Sequence, residues 1–505
     1  MITWGISANS HDAALAVFYD NDIVFASHTE RFSGLKNDRH LNVDIIRYAQ
    51  RWGYPQQVIW YENPMLKSIR QLSAGQGLRF RENNVKKYLK KYNMTVPIKI
   101  INHHHSHAAA GYFTSKFTNA TILVIDAIGE FNTLTIWTAN KNKIKKVHST
   151  NFPHSIGLWY SAFTQRIGLK PNEEEYILMG MAAYGKPIYK NDILEKFFNF
   201  EELHTKYWFN FPTVKCKENL HRGCMWWEST EKAFDIINGQ QIFTQWAYDT
   251  AASVQAAYEE LLCFISKNVK NYFPNKNFVF MGGCALNCAA NKIIENDWKN
   301  VWIMPNPGDC GSSVGAALSY TKKPIIWPGP YIGTNIAKPY PVDAIITELH
   351  TKKVVGVANG RAEFGPRALG HRSLLADPRG TEIKDQVNAI KRRQKFRPFA
   401  PAILEEHLHE YFDINTDSSP YMQYVGLCKK PDEFPAIIHV DGTSRIQTVN
   451  KSDSPGFRKL LETWYKTTGC PMLLNTSLNI RGEPMVNTRE DADRFQTEYG
   501  IKVFS

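Results

Sequence analysis

A strand–turn–hairpin pattern occurs twice in the first third of this chain, and it limits the possible folds more than any other feature. Ile2-Thr-Trp-Gly-Ile-Ser reads as a buried strand, followed by His11-Asp12, the run Ala14-Leu-Ala-Val-Phe, a turn at Asp20-Asn-Asp22 and the run Ile23-Val-Phe-Ala. About 120 residues further on the same events recur. Thr121-Ile-Leu-Val-Ile leads to Asp126 and Gly129-Glu130, then Thr133-Leu-Thr-Ile-Trp, a turn at Asn140-Lys-Asn142 and Ile144-Lys-Lys-Val.

Two copies of strand, phosphate-facing turn and hairpin, with helices packed behind, predict an α/β fold on the duplicated actin and sugar-kinase (ASKHA) plan, each copy flanking one nucleotide cleft. Gly129 lies in the turn of the second copy. Tyr248 to Leu262 has apolar residues at helical spacing, and Phe278-Val-Phe-Met is a strand that ends in Gly282-Gly283. These glycines allow close backbone approach to a ligand, and the segment Ala285–Asn291 is expected to be a helix with its N-terminus toward phosphate. A second glycine-rich turn puts Asp309 at the start of another small-residue helix. Residues 326–342 are rich in proline and read as a linker, which divides the chain into 1–325 and 343–505.

The most readable chemistry is Asn102-His-His-His-Ser-His107, after the strand Ile98-Lys-Ile-Ile. His103 and His107 are four apart, so on a helix they share one face, the spacing two imidazoles need to bind one cation. Asp126 and Asp309, at strand tips in the same cleft, add hard oxygens and complete a mixed N/O site for iron, manganese, zinc or magnesium. A surface patch of satisfied histidines is the alternative reading.

The eight cysteines are scattered, which fits free thiols in a reducing cytoplasm. No apolar run approaches the roughly 20 residues that span a bilayer, so a soluble cytoplasmic protein without a membrane segment is expected. The net charge of +12 attracts phosphate groups of a metabolite, a nucleotide or a nucleic acid.

Several blocks together resemble one family. They are His11-Asp-Ala-Ala14, Asn102 to Ala109, Gly157-Leu-Trp-Tyr-Ser-Ala-Phe163, Met179-Gly-Met-Ala-Ala-Tyr-Gly185, Gly282-Gly-Cys-Ala-Leu-Asn-Cys288, Glu363-Phe-Gly-Pro-Arg-Ala-Leu-Gly370, Phe396-Arg-Pro-Phe-Ala-Pro401 and Asn475-Thr-Ser-Leu-Asn479. The sequence resembles the nodulation-protein and cephalosporin or tobramycin O-carbamoyltransferase family. The resemblance implies an ASKHA-type metal and nucleotide domain followed by a YrdC-like α/β domain that binds carbamoyl phosphate. It further implies that carbamoyl phosphate and ATP give carbamoyl adenylate, whose carbamoyl group passes to an alcohol. His103, His107, Asp126 and Asp309 would hold the metal, iron by the resemblance. Gly282, Gly283 and Asn287 would line the nucleotide, with Gly129 and Asp309 beside it. His11 would act as base on the acceptor, with Asp12 orienting it or touching the metal, while a purely structural histidine stays open. Arg367, Arg397 and Arg445 offer bidentate forks for carbamoyl phosphate, Lys391 a point charge, and Asn475 and Ser477 hydrogen bonds; Arg367 and Arg397 also count as catalytic.

Two segments bear on the acceptor. Arg79 to Tyr92 reads as a basic helix with interleaved aromatics, and Lys206 to Trp227 as a basic aromatic insertion. They suit a hydroxymethylated base in DNA, 5-hydroxymethylcytosine, as acceptor; a sugar, antibiotic or nodulation-factor hydroxyl is the second reading. A sugar kinase, a tRNA threonylcarbamoyl enzyme and a non-catalytic nucleic-acid-binding protein are the other classes, and a homodimer stays open.

Overall fold

The computed structural model describes residues 1–199, 208–209, 231–237, 240–394 and 396–505. The chain forms two compact units. The first comprises Met1–His11, Leu15–Ile23 and Gln50–Ile326. The second takes Trp327–Ser505 and adds Asp12–Ala14 and Val24–Ala49. The expected unit 1–325 therefore gives up two N-terminal stretches, among them Val24–Ala49, whose buried Arg31 donates to the Gly365 carbonyl at 3.0 Å.

The duplication is explicit in the sheets. One has the strand order Asp22–His28, Ala14–Tyr19, Ile2–Ser7, Gln57–Trp60, Ile98–Ile100. The other has Lys143–Asn151, Asn132–Asn140, Asn119–Ile125, Asn277–Met281, Asn300–Trp302, so each position in the first sheet has its counterpart in the second. In both, the founding strand pairs parallel with the one reached by the long crossover, Thr3 opposite Gln57 and Phe278 opposite Thr121. Parallel pairing buries both faces. Ile122 to Ile125 and Phe278 to Met281 are accordingly fully buried apolar runs. This is the duplicated ASKHA-like α/β domain that the repeated pattern predicts.

Two expected helices are shorter than the sequence suggests. Ala285–Asn291 is not a helix: a 3-10 turn covers Gly283–Leu286, and the helix begins only at Asn291–Asp297. Asn287 breaks the run, because its Oδ1 accepts from the Ala290 amide at 3.2 Å and so competes with helical bonding. Within Arg79 to Tyr92 only Val85–Lys90 is helical. Asn84 caps it by accepting from the Lys87 amide at 2.9 Å, while Asn83 reaches back to Ser68 Oγ at 2.8 Å. Of the aromatic insertion at 206–227 only the strand Trp208–Phe209 is among the described residues.

The second unit is built on an eight-stranded sheet with a continuous apolar core. Its centre runs from Thr443–Val449 through Ala400–Leu404 and Met472–Ser477 to Arg372–Ala376. The supposed linker 326–342 is not free chain: Tyr331–Ile336 is a strand paired with Gly360–Glu363. Proline punctuation around it masked a strand whose Ile332, Gly333 and Thr334 are buried.

Candidate active site

The helix His103–Thr114 follows directly on the strand Ile98–Ile100, so its first turn lies at a strand end in the first unit. The four-residue spacing points His103 and His107 the same way, and both are fully buried. Asp126 follows the strand Asn119–Ile125, and Asp309 opens the 3-10 turn Asp309–Gly311. One ligand atom from each of the four residues falls within 4.8 Å of the others. His103 Nε2 is 3.0 Å from Asp126 Oδ2 and 3.4 Å from Asp309 Oδ1; His107 Nε2 is 3.5 Å from each.

Hydrogen bonds behind these atoms fix which way they face. His107 Nδ1 lies 3.1 Å from the Pro307 carbonyl, which only accepts, so Nδ1 carries the proton and the Nε2 lone pair points into the cluster. The Gly283 amide donates to Asp126 Oδ1 at 3.0 Å, leaving Oδ2 for the histidines. His103 Nε2 and His107 Nε2 stand 3.0 Å apart, an approach that a shared cation satisfies. Burial opposes the charged form of His103, yet Asp309 and Asp126 outweigh it and hold its pKa well above the ordinary imidazole value. Burial likewise opposes ionisation of Asp126 and Asp309, and the histidines overcome it, so both stay below the usual carboxylate range. Two carboxylates, Asp126 buried and Asp309 partly buried, and two converging imidazoles form a donor set that fits a divalent cation.

Around this cluster lies a polar shell that the sequence did not announce. Glu130 Oε1 accepts from the His103 amide at 2.9 Å and the Asn63 amide at 2.7 Å, which ties the ligand helix to the loop after Gln57–Trp60. Arg70 Nε donates to the Glu130 carbonyl at 3.0 Å. Lys67 pairs with Glu62 in a buried ion pair and also donates to the Asn9 carbonyl at 2.8 Å. Burial still raises the Glu62 pKa in spite of Lys67. The Tyr61 ring lies 5.2 Å from that of His103. Lys67 and Arg70 occupy a short helix that reads as solvated surface, which is why sequence reasoning passed over them.

The glycines expected at the nucleotide lie close to the His/Asp cluster. A Cβ on Gly129 would meet His104 Cδ2 at 3.0 Å and His103 Cβ at 3.1 Å. Gly282 has φ +92, and a Cβ there would sit 2.1 Å from the Ile125 carbonyl oxygen. Gly282→Ala is therefore expected to shift the Gly283 amide off Asp126 and cut transfer activity by about a hundredfold, with metal content measured alongside. Asn287 exchanges hydrogen bonds with Gln255 at 2.9 and 3.2 Å, and Tyr160 donates to the same Gln255 Oε1 at 2.9 Å. His11 is half-buried in the first unit, and its charge bears on the buried carboxyl of Glu175. Asp12 falls in the second unit and is not among the four cluster residues.

In the second unit, register places three of the expected carbamoyl phosphate residues, Arg445, Asn475 and Ser477, on one sheet face. Asn475 is opposite Ala400 and Leu375, while Gln447, two residues from Arg445 and on the same side of its strand, is opposite Ala402. Asn475 is buried and donates to Gln447 Oε1 at 2.7 Å and to the Ala368 carbonyl at 3.1 Å. Its Oδ1 and Arg445 Nε are buried without a hydrogen-bond partner, so one acceptor and one donor remain for a ligand. Arg367 is half-buried in the loop above them. That loop folds over Glu363, whose Oε1 accepts from the amides of Leu369, His371 and Arg372 at 2.7, 2.9 and 3.2 Å. Ser477 Oγ donates to Asn479 Oδ1 at 2.6 Å.

Lys391 is held by its own chain. Its ammonium is surrounded by the Ser477 carbonyl and hydroxyl and by the Asn479 carbonyl and Oδ1, at 2.9 Å for the latter two. Its N–H donors are thus directed at the 477–479 loop. Burial, with Arg393 and Arg397 nearby, pushes its pKa well down. Arg397 is half-buried.

The chain thus joins a duplicated ASKHA-like domain that holds a His/Asp cluster to a second α/β unit that holds buried polar atoms without a hydrogen-bond partner. Residues 61–318 match the carbamoyltransferase N-terminus family and residues 346–505 the carbamoyltransferase C-terminus family. The chain belongs to the carbamoyltransferase family, and is an O-carbamoyltransferase. It is 34% identical to an uncharacterized protein of Synechocystis sp., covering 97% of this chain and 93% of that protein. It is 28% identical to nodulation protein NolNO of Sinorhizobium fredii over 95% of this chain and 76% of that protein. Nodulation protein U of the same species is 34% identical over 49% of this chain and 48% of that protein.

Proposed function

We propose that the protein carbamoylates a hydroxyl acceptor at the expense of ATP and carbamoyl phosphate. The observation that carries this reading is the pairing of two differently equipped units in one chain: a buried His103/His107/Asp126/Asp309 cluster in one, and Arg445 Nε with Asn475 Oδ1 unspent in the other. In the second, YrdC-like unit, carbamoyl phosphate loses phosphate to water, and the carbamate oxygen attacks the α-phosphorus of ATP. Pyrophosphate leaves, and carbamoyl adenylate remains. Arg367, Arg397 and Arg445 balance the charge of these phosphates, and Asn475 Oδ1 accepts from the carbamoyl N–H.

In the first unit the acceptor oxygen attacks the carbamoyl carbon and AMP leaves, while the hydroxyl proton passes to a base, for which His11 beside Glu175 is the candidate. A divalent cation held by His103, His107, Asp126 and Asp309 would supply a Lewis acid there; iron follows from the resemblance, with manganese, zinc and magnesium as alternatives. Gly283 and Glu130 keep Asp126 and His103 in place, and Gly129, Gly282 and Asn287 border the nucleotide.

The acceptor is read as a hydroxymethylated DNA base, favoured by the net charge of +12. A sugar or antibiotic hydroxyl is the second reading, favoured by the burial of Tyr88, which removes one expected base-stacking surface. Incubating the protein with carbamoyl phosphate, ATP and a divalent metal, then weighing each acceptor by mass spectrometry, separates the two. DNA containing 5-hydroxymethylcytosine is expected to gain one carbamoyl mass. The same gain only on an aminoglycoside or chito-oligosaccharide would move the reading to a sugar, and threonylcarbamoyl transfer to tRNA would point to the tRNA-modifying class.

A further inference from the structure

The helix Pro64–Ser73 has its polar side inward and its apolar side outward. Lys67, Ser68 and Arg70 are its buried residues, committed to Glu62, the Asn9 carbonyl and the Glu130 carbonyl beside the histidine cluster. Because that inner face is claimed by polar contacts, the apolar side chains are left facing water. Met65 is 65% exposed, and Leu66, Ile69 and Leu72 are exposed along the same helix. Leu78 at 73% and Phe80 at 44% extend the patch into the following turn. Isolated exposed apolar residues are ordinary, but a contiguous group marks an interaction site.

Cations flank this patch. Asn83 donates to Ser68 Oγ at 2.8 Å and Gln71 Oε1 at 2.7 Å, which folds the next segment against the helix. On that segment Arg81, Lys86, Lys87, Lys90 and Lys91 are exposed. Between residues 63 and 92 the one acidic residue is Glu82, paired with Arg79.

We propose that this face docks on an anionic lipid bilayer. The six apolar side chains enter the boundary between headgroups and acyl chains, and the flanking lysines and arginine meet lipid phosphates. Duplex DNA would use the charge but leave the aliphatic side chains in water, and the buried Tyr88 offers no stacking surface. A second copy of the chain, related by a two-fold axis through the patch, would bring the two sets of cations together.

The test is flotation of the full-length protein with phosphatidylcholine vesicles and with vesicles containing phosphatidylglycerol. Binding is expected only to the anionic vesicles and is expected to weaken as salt rises. The double variant Ile69→Glu/Leu72→Glu, and separately the surface variant Lys86→Glu/Lys87→Glu/Lys90→Glu, are expected to bind at least about tenfold more weakly. Circular dichroism confirms that each is folded, and the lysine variant, altered only at exposed positions, keeps the test decisive if the helix variant unfolds. Absence of flotation with anionic vesicles at low salt would overturn the proposal, as would native-level binding by both variants. Loss of a dimer on gel filtration in the same variants without any vesicle binding would assign the face to a second copy, and duplex DNA binding without vesicle binding to nucleic acid; each result also overturns it.

Discussion

Replacing His103 with alanine is expected to lower carbamoyl transfer on the order of a thousandfold while leaving carbamoyl-phosphate-dependent conversion of ATP to AMP intact. The imidazole is one of four converging donors, and its removal leaves the carboxylates of Asp126 and Asp309 with only His107 opposite them. Metal content by atomic emission should fall together with transfer. Asp309→Asn should behave similarly, since it removes charge at nearly constant shape. Full metal loading and full transfer in either variant would remove the cluster from the reaction.

The second large effect is on stability. Arg372 is fully buried, and its guanidinium donates to the carbonyls of Thr334, Asn359, Gly360, His371 and Asn487 at 2.9 to 3.2 Å. Burial lowers its pKa to about 10, still well above neutrality, with Glu363 acting to raise it, so the fork stays charged. Arg372→Met would strand those carbonyls and is expected to destabilise the second unit by about 3–5 kcal/mol, read from denaturant unfolding. Lysine should rescue little, because a single ammonium cannot reach five carbonyls in a fork geometry. An unfolding midpoint within error of the native protein would show that the fork is not what holds this unit together.

The sequence made some parts of this account legible and hid others for identifiable reasons. The duplication was readable because its strands are buried on both faces and so appear as apolar runs broken by Asp-Asn turns. The cluster was readable because two histidines four apart, an aspartate directly after a strand and an aspartate in a glycine-rich turn are local patterns. Glu130 and Arg70 were not, since what makes them part of the site is a backbone contact across distant segments. Lys391 and Arg445 show the same limit from the other side. Both are basic residues in the C-terminal half, but only the folded chain reveals that Lys391 hydrogen-bonds to the 477–479 loop while Nε of Arg445 is left without a partner. Asn287 and Asn84 had more local effect than helical periodicity suggested, because asparagine side chains compete for backbone amides.

In the proposed reaction ATP is cleaved at its α-phosphate to activate a carbamoyl group. The most direct measurement follows the fate of ATP in the presence and absence of carbamoyl phosphate, by chromatography of the nucleotide products. The account predicts AMP with equimolar pyrophosphate, formed only when carbamoyl phosphate is present and diminished by Arg445→Ala. ADP as the nucleotide product, or AMP formation indifferent to carbamoyl phosphate, would contradict it and return the ASKHA-like domain to kinase chemistry.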